Sequence, residues 1–280
     1  MTDLLASAAL AILQVGPFPG HGAMPEVPEE LGDRPPRSEN VEQAPPTELA
    51  NCLRQASANP EMALDTAQRW REGAQSQLEM AQSAHCLGLA LVQSNRMNEA
   101  REAFELASAE APADNPTYSA RLAAMAGNAA MAQGDAESAL PLLDRAGELA
   151  LSARDNELGA DLRVDLARVL VRLNRTEDAA SALAEAREAD PLDAQAWLLS
   201  ATLSRRLERL GEAQNQIERA ATLAPRDAQV GLEAGVIAAM SGRARDARAS
   251  FQSVIDVAPD SPEAGRAQTY LEQLDASATE

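Results

Sequence analysis

Lysine is absent from these 280 residues, aromatic side chains make up only 2% of them, and histidine and cysteine occur twice each. Alanine and leucine carry most of the 45% apolar content. Alanine has the best helix propensity, whereas strands draw on β-branched and aromatic residues, so the composition favours helices over sheets. It also implies thin cores in which closely spaced helices interlock through small side chains. All 24 basic residues are arginine, a usage that fits the codon bias of a GC-rich genome. Every cationic contact is then a planar, permanently charged fork suited to carboxylates. Against 43 acids these arginines leave a formal net charge of −19. That balance argues against nucleic acid as a partner, because phosphate neutralisation supplies most of such affinity. It argues equally against docking on anionic lipid.

The scarcity of reactive side chains removes most catalytic chemistry. His21 lies near the N-terminus, and His85 stands beside Cys86. On a helix, adjacent side chains point about 100° apart and cannot form a nucleophile–base pair with each other. There is no glycine-rich phosphate loop and no paired-cysteine zinc spacing. No catalytic residues, metal or cofactor are expected, and the chain reads as a non-enzyme.

Long apolar runs are also missing. Residues 4–15 form a short one, below the roughly 20 residues needed to span a bilayer. Its length suits a signal-peptide core, and Gly20, Gly22 and Ala23 follow it. The leading Met-Thr-Asp carries no positive charge, so an incidental helix is the other reading. Residues 1–23 are therefore a candidate signal peptide, which points to a periplasmic or envelope-associated protein; a cytoplasmic one is the alternative. Residues 24–46 hold six prolines among acids and polar residues and read as a disordered tether.

What the chain does have is a period. Pro191, Pro225 and Pro259 are spaced by 34 residues. Twelve positions before each stands an alanine: Ala179, Ala213, Ala247. Eight before stands a large apolar residue: Leu183, Ile217, Phe251. Five before stands a compact one: Ala186, Ala220, Val254. Further upstream come Ala167, Ala201 and Gly235. The same ruler on Pro112 finds Gly88, Ala100, Phe104 and Ala107; around Gly127 it finds Ala139, Leu143 and Ala146, with no closing proline. This pattern resembles the tetratricopeptide repeat family, whose unit is two antiparallel helices in 34 residues. Five units follow over 81–261, near 81–114, 120–153, 160–193, 194–227 and 228–261. The resemblance implies an all-α solenoid, a right-handed superhelix of helix-turn-helix repeats. The physics agrees: the alanine, large and compact residues fall at i, i+4 and i+7 on one helix face, and no unit buries that stripe alone.

Some segments depart from the pattern. Unit two is set off by about five residues before it and six after it, so 136–153 should be an overlong second helix carrying Pro141. Residues 47–80 read as a degenerate end unit, with Thr66, Trp70 and Gly73 in the small–large–small slots and Arg54 replacing a small residue. Residues 262–280 read as a capping helix and tail, started by Ser261 and Pro262.

Cys52 and Cys86 are 34 apart, in the same slot of neighbouring first helices. A disulfide there would staple the weak end unit to the array and accord with export. Same-slot residues on stacked helices lie about 8–10 Å apart, which is long for such a bond. Two buried free thiols are the alternative.

The family resemblance implies that first helices line a concave face through slots two, five, nine, twelve and thirteen. Among these 25 positions stand Arg121, Arg168, Arg172, Arg205 and Arg206 against one acid, Asp161, a local charge of +4 in a chain of −19. With Asn128 to bond a backbone, these arginines are candidates for gripping an acidic peptide or protein partner. The lysine that chaperone-binding relatives use for a terminal carboxylate is absent. The other reading is that the arginines pair with local acids such as Asp165. The chain is thus expected to be a protein-binding scaffold, or else an accessory repeat subunit of an envelope-biogenesis or glycosyl-transfer enzyme system.

Overall fold

The computed structural model describes residues 47–277; the candidate signal peptide, the tether and residues 278–280 lie outside that range. Among the described residues there are thirteen α-helices and no strand. Six hairpins follow one another: α1 (Glu48–Ala58) with α2 (Pro60–Gly73), α3 (Gln77–Gln93) with α4 (Met97–Glu110), α5 (Pro116–Gln133) with α6 (Ala136–Ser152), α7 (Asn156–Arg172) with α8 (Thr176–Ala189), α9 (Ala194–Arg206) with α10 (Leu210–Leu223), and α11 (Ala228–Met240) with α12 (Ala244–Val257). Helix α13 (Pro262–Ser277) closes the array. Each helix packs on the one before it and the one after it, the arrangement of an α-solenoid.

Local sequence sets these boundaries. Side chains of Thr47, Asn59, Ser76, Asp135, Asp155, Asp193 and Asp227 accept the first free amides of their helices. At Ser76 the bond is reciprocal in the manner of a capping box. Ser76 Oγ accepts from Glu79 N at 3.2 Å, and the Glu79 carboxylate reaches back to the Gln75 amide at 2.6 Å. Ser261 Oγ accepts from Ala264 N at 3.1 Å to start α13.

The repeated stripe forms the core. Phe104, Leu143, Leu183, Ile217 and Phe251 are all at most 3% exposed. Each faces a glycine or alanine of its hairpin partner: Gly88, Gly127, Ala167, Ala201 or Gly235. Burying a side chain of this size contributes about 1.5–3 kcal/mol.

The residues that set unit two apart are not loops. They lengthen the first helices of units two and three: α5 and α7 run 18 and 17 residues, whereas α9 and α11 run 13. Unit two lacks its closing proline, so α6 continues to Ser152. It ends with Arg154 at φ 61° and a bond from Asp155 N to Ala150 O, the turn used elsewhere within units. Helix α6 runs through Pro141, which is exposed, so the carbonyl its ring leaves unbonded is on the solvent side.

The end unit differs from the slots read in the sequence. Its buried stripe is Ala63, Ala67 and Trp70, while Thr66 is half-buried and Gly73 exposed. Arg54 points to solvent, and α1 instead presents Cys52 and Ala56, each 1% exposed. The ruler had no closing proline to anchor it here. Cys52 and Cys86 are bonded, with Cα atoms 6.0 Å apart. The two residues face each other across α1 and α3, and because Cα atoms stand about 2.3 Å off their helix axes this separation is compatible with ordinary interaxial spacing. Ala67, Trp70, Leu49, Leu53 and Leu87 enclose the bond. Arg71 ties α2 to α4 through two bonds to Glu110, at 2.8 and 2.5 Å.

Candidate partner-binding groove

The first helices of the later units touch: α7 meets α9, α9 meets α11, and α11 meets α13. Earlier in the chain the long α5 packs mainly on α4 and α6. Helices α7, α9 and α11 thus form one continuous face.

Of the five slots assigned to that face, one is core. His85, Ala124, Val164, Leu198 and Leu232 all stand in slot five and are at most 8% exposed. In units two to five the residue next to it, in slot six, is partly exposed, whereas in unit one it is the buried Cys86. Leu199 lies between two cavities, and Glu233 meets Arg205. Sequence slots alone missed both, although a helix turns by only about 100° between neighbours, so slot six was in reach.

The two cavities adjoin at Leu199 and Thr202. One, of about 200 Å³, lies between α7, α8 and α9 and is walled by Ala167, Val171, Leu183, Leu199 and Leu203. Arg168 and Arg206 also line it. The other, of about 230 Å³, lies between α9, α11 and α13 and carries Gln195, Gln229, Glu233 and Arg266.

The candidate arginines divide. Arg205 is half-buried and held by Glu233, with Nε at 2.6 Å and Nη2 at 3.3 Å, so its charge is spent inside the array. Arg168 makes an exposed pair with Asp165 at 2.6 Å, the local pairing anticipated above. Arg121, Arg172 and Arg206 are exposed, and among the described residues no carboxylate lies within 4.0 Å of them. Arg172 Nη2 lies over Gly134 at the end of α5. Arg168 and Arg206 meet at one cavity, whereas Arg121 and Asn128 stay on α5, away from it.

Charge is also graded along α7. Asp161, nearer the N-terminus, has its carboxyl raised above the usual range, first by burial and then by Asp193, Asp165, Glu157 and Asp190. One edge of the face is thus acidic, and the C-terminal ends of α7 and α9 are basic, where cations also complement the helix dipoles.

Elsewhere, His85 Nδ1 lies 3.2 Å from the Tyr118 hydroxyl, and its buried Nε2 has no hydrogen-bond partner. Burial lowers the His85 pKa to about 4 and raises that of Tyr118 to about 12. Cys86 is committed to its disulfide. No group of three metal-ligating side chains occurs among the described residues, and none of their helices is long and apolar enough to cross a membrane.

A stacked array of helical hairpins defines a protein of the repeat-scaffold class. Tetratricopeptide repeat profiles match residues 130–203 and 200–262, and the chain is a tetratricopeptide repeat protein. No curated protein sequence matches it. Among solved structures it is similar to BtubC from P. vanneervenii, at 16% identity and TM-score 0.59, covering 76% of this chain and 91% of that one. Pseudomonas aeruginosa PilF aligns at 16% identity and TM-score 0.58, covering 79% and 97%. YrrB, described as a TPR protein with an unusual peptide-binding site, aligns at 21% identity and TM-score 0.51, covering 67% and 91%. At these identities the likeness is one of fold. Proteins of this family generally mediate protein–protein interaction.

Proposed function

We propose that this chain is a non-catalytic scaffold that holds a peptide or protein partner on the face formed by α7, α9 and α11, and that the partner presents carboxylates. One observation carries the reading. In a chain of net charge −19, the apolar cavity between α7, α8 and α9 is edged by two guanidinium groups without buried partners, Arg168 and Arg206, and Arg172 is exposed one turn further along α7. Desolvated arginine beside apolar surface is a usual anchor of protein interfaces. YrrB, with its peptide-binding site, offers a precedent on the same fold. The commitment of Cys52 and Cys86 to a disulfide supports a role without cysteine chemistry. The Cys52–Cys86 bond, with the apolar run at 4–15, also supports an oxidising location in the periplasm or envelope.

The test is capture of partners from the native host by the wild-type chain and by Arg168→Glu/Arg172→Glu, read by mass spectrometry. Helicity should be unchanged, because both side chains are exposed. The reading requires partners that the wild type retains and the variant loses; identical captured sets would refute it.

A further inference from the structure

The cavity between α7, α8 and α9 allows the partner's chemistry to be narrowed, on the basis of the binding role above. Its volume of about 200 Å³ is below the 300–1,000 Å³ typical of small-molecule sites, so it suits a single side chain. Its walls are aliphatic, and Thr202, whose hydroxyl donates to Leu198 O at 3.0 Å, adds no free donor. Polar groups enter only as Arg168 on α7 and Arg206 on α9.

We propose that this cavity takes one bulky aliphatic or aromatic side chain of the partner, and that Arg168 and Arg206 grip a carboxylate beside that residue in the partner's sequence. The Arg168–Asp165 pair is no obstacle. It is a surface i,i+3 contact between half-exposed side chains, and such pairs are weak enough to exchange. Arg206 has no competing carboxylate within 4.0 Å among the described residues. The acids near Asp161 repel a second carboxylate from the opposite edge, which fixes the direction in which the segment lies. Arg205 takes no part, being held by Glu233.

Random 12-residue peptides displayed on phage, selected on the full chain and then synthesised for fluorescence polarisation, test this. The expected result is a shared bulky apolar residue with Asp or Glu beside it. Thr202→Trp, which fills the cavity, and Arg206→Glu, which changes an exposed side chain, should each weaken these peptides by about tenfold or more. Arg121→Glu on α5 should leave them unchanged. Enriched peptides that lack either feature, or that bind both cavity variants as tightly as the wild type, would overturn the proposal. If Arg172→Glu still abolishes their binding, the groove reading survives that failure. No enrichment of any peptide dependent on Arg168, Arg172 or Arg206 would overturn both.

Discussion

Gly88 on α3 lies under the ring of Phe104 on α4 so closely that a Cβ at position 88 would stand 2.5 Å from Phe104 Cε1. Gly127 and Leu143 repeat the relationship at 2.7 Å, and Gly235 and Phe251 repeat it in the last hairpin. The missing Cβ sets how near the two helices of a unit can come.

Gly88→Ala should therefore destabilise the protein by about 1–3 kcal/mol, the range for overpacking a dense core. Unit three supplies the control, because it carries alanine and leucine at these two positions, Ala167 and Leu183. Adding Phe104→Leu to Gly88→Ala should recover part of the loss. Urea denaturation of the two single variants and the double variant measures it, and additive losses would refute the packing account.

The end hairpin depends on its covalent bond. Cys52→Ser/Cys86→Ser opens a loop whose closure is worth about 3–4 kcal/mol in the chain-entropy model. Hydrogen exchange should accelerate across α1 and α2 while α7 to α12 keep their protection, since a solenoid shares stability mainly between neighbours. Uniform acceleration along the chain would contradict this.

Acid should weaken the fold through His85. Its folded pKa, about 4, is below the unfolded value near 6.5 because burial disfavours the charged ring. The unfolded chain thus takes up the proton first as pH falls. Stability is full above about pH 6.5 and declines progressively towards pH 4, by about 2 kcal/mol between pH 7 and pH 5. His85→Gln should remove this component from the pH profile of unfolding, whatever it costs at pH 7. A variant profile parallel to the wild type over that window would rule the mechanism out.

The repeat was legible because its signal is local. Phe104, Leu143 and Phe251 recur at one offset from glycine, and helical periodicity places each pair face to face. The groove was legible only in outline. Arg168 and Arg206 could be assigned to it, but whether an arginine is free depends on the rotation of one helix against the next. Glu233 takes Arg205 from a neighbouring unit, and no spacing rule encodes that contact. The end hairpin was misaligned for a related reason. Without a closing proline, Ala67 and Thr66 are both plausible small residues, and only the packing around Cys52 selects Ala67.

Site-specific photo-crosslinking most directly tests the claim that the inner face holds the partner. A photoreactive residue replaces Arg172 on the inner face of α7 or, in a second chain, Glu218 on the outer helix α10; both positions are exposed. Irradiated in the native host, the first should give discrete adducts that the second lacks. Adducts at position 218 with none at position 172 would contradict the account.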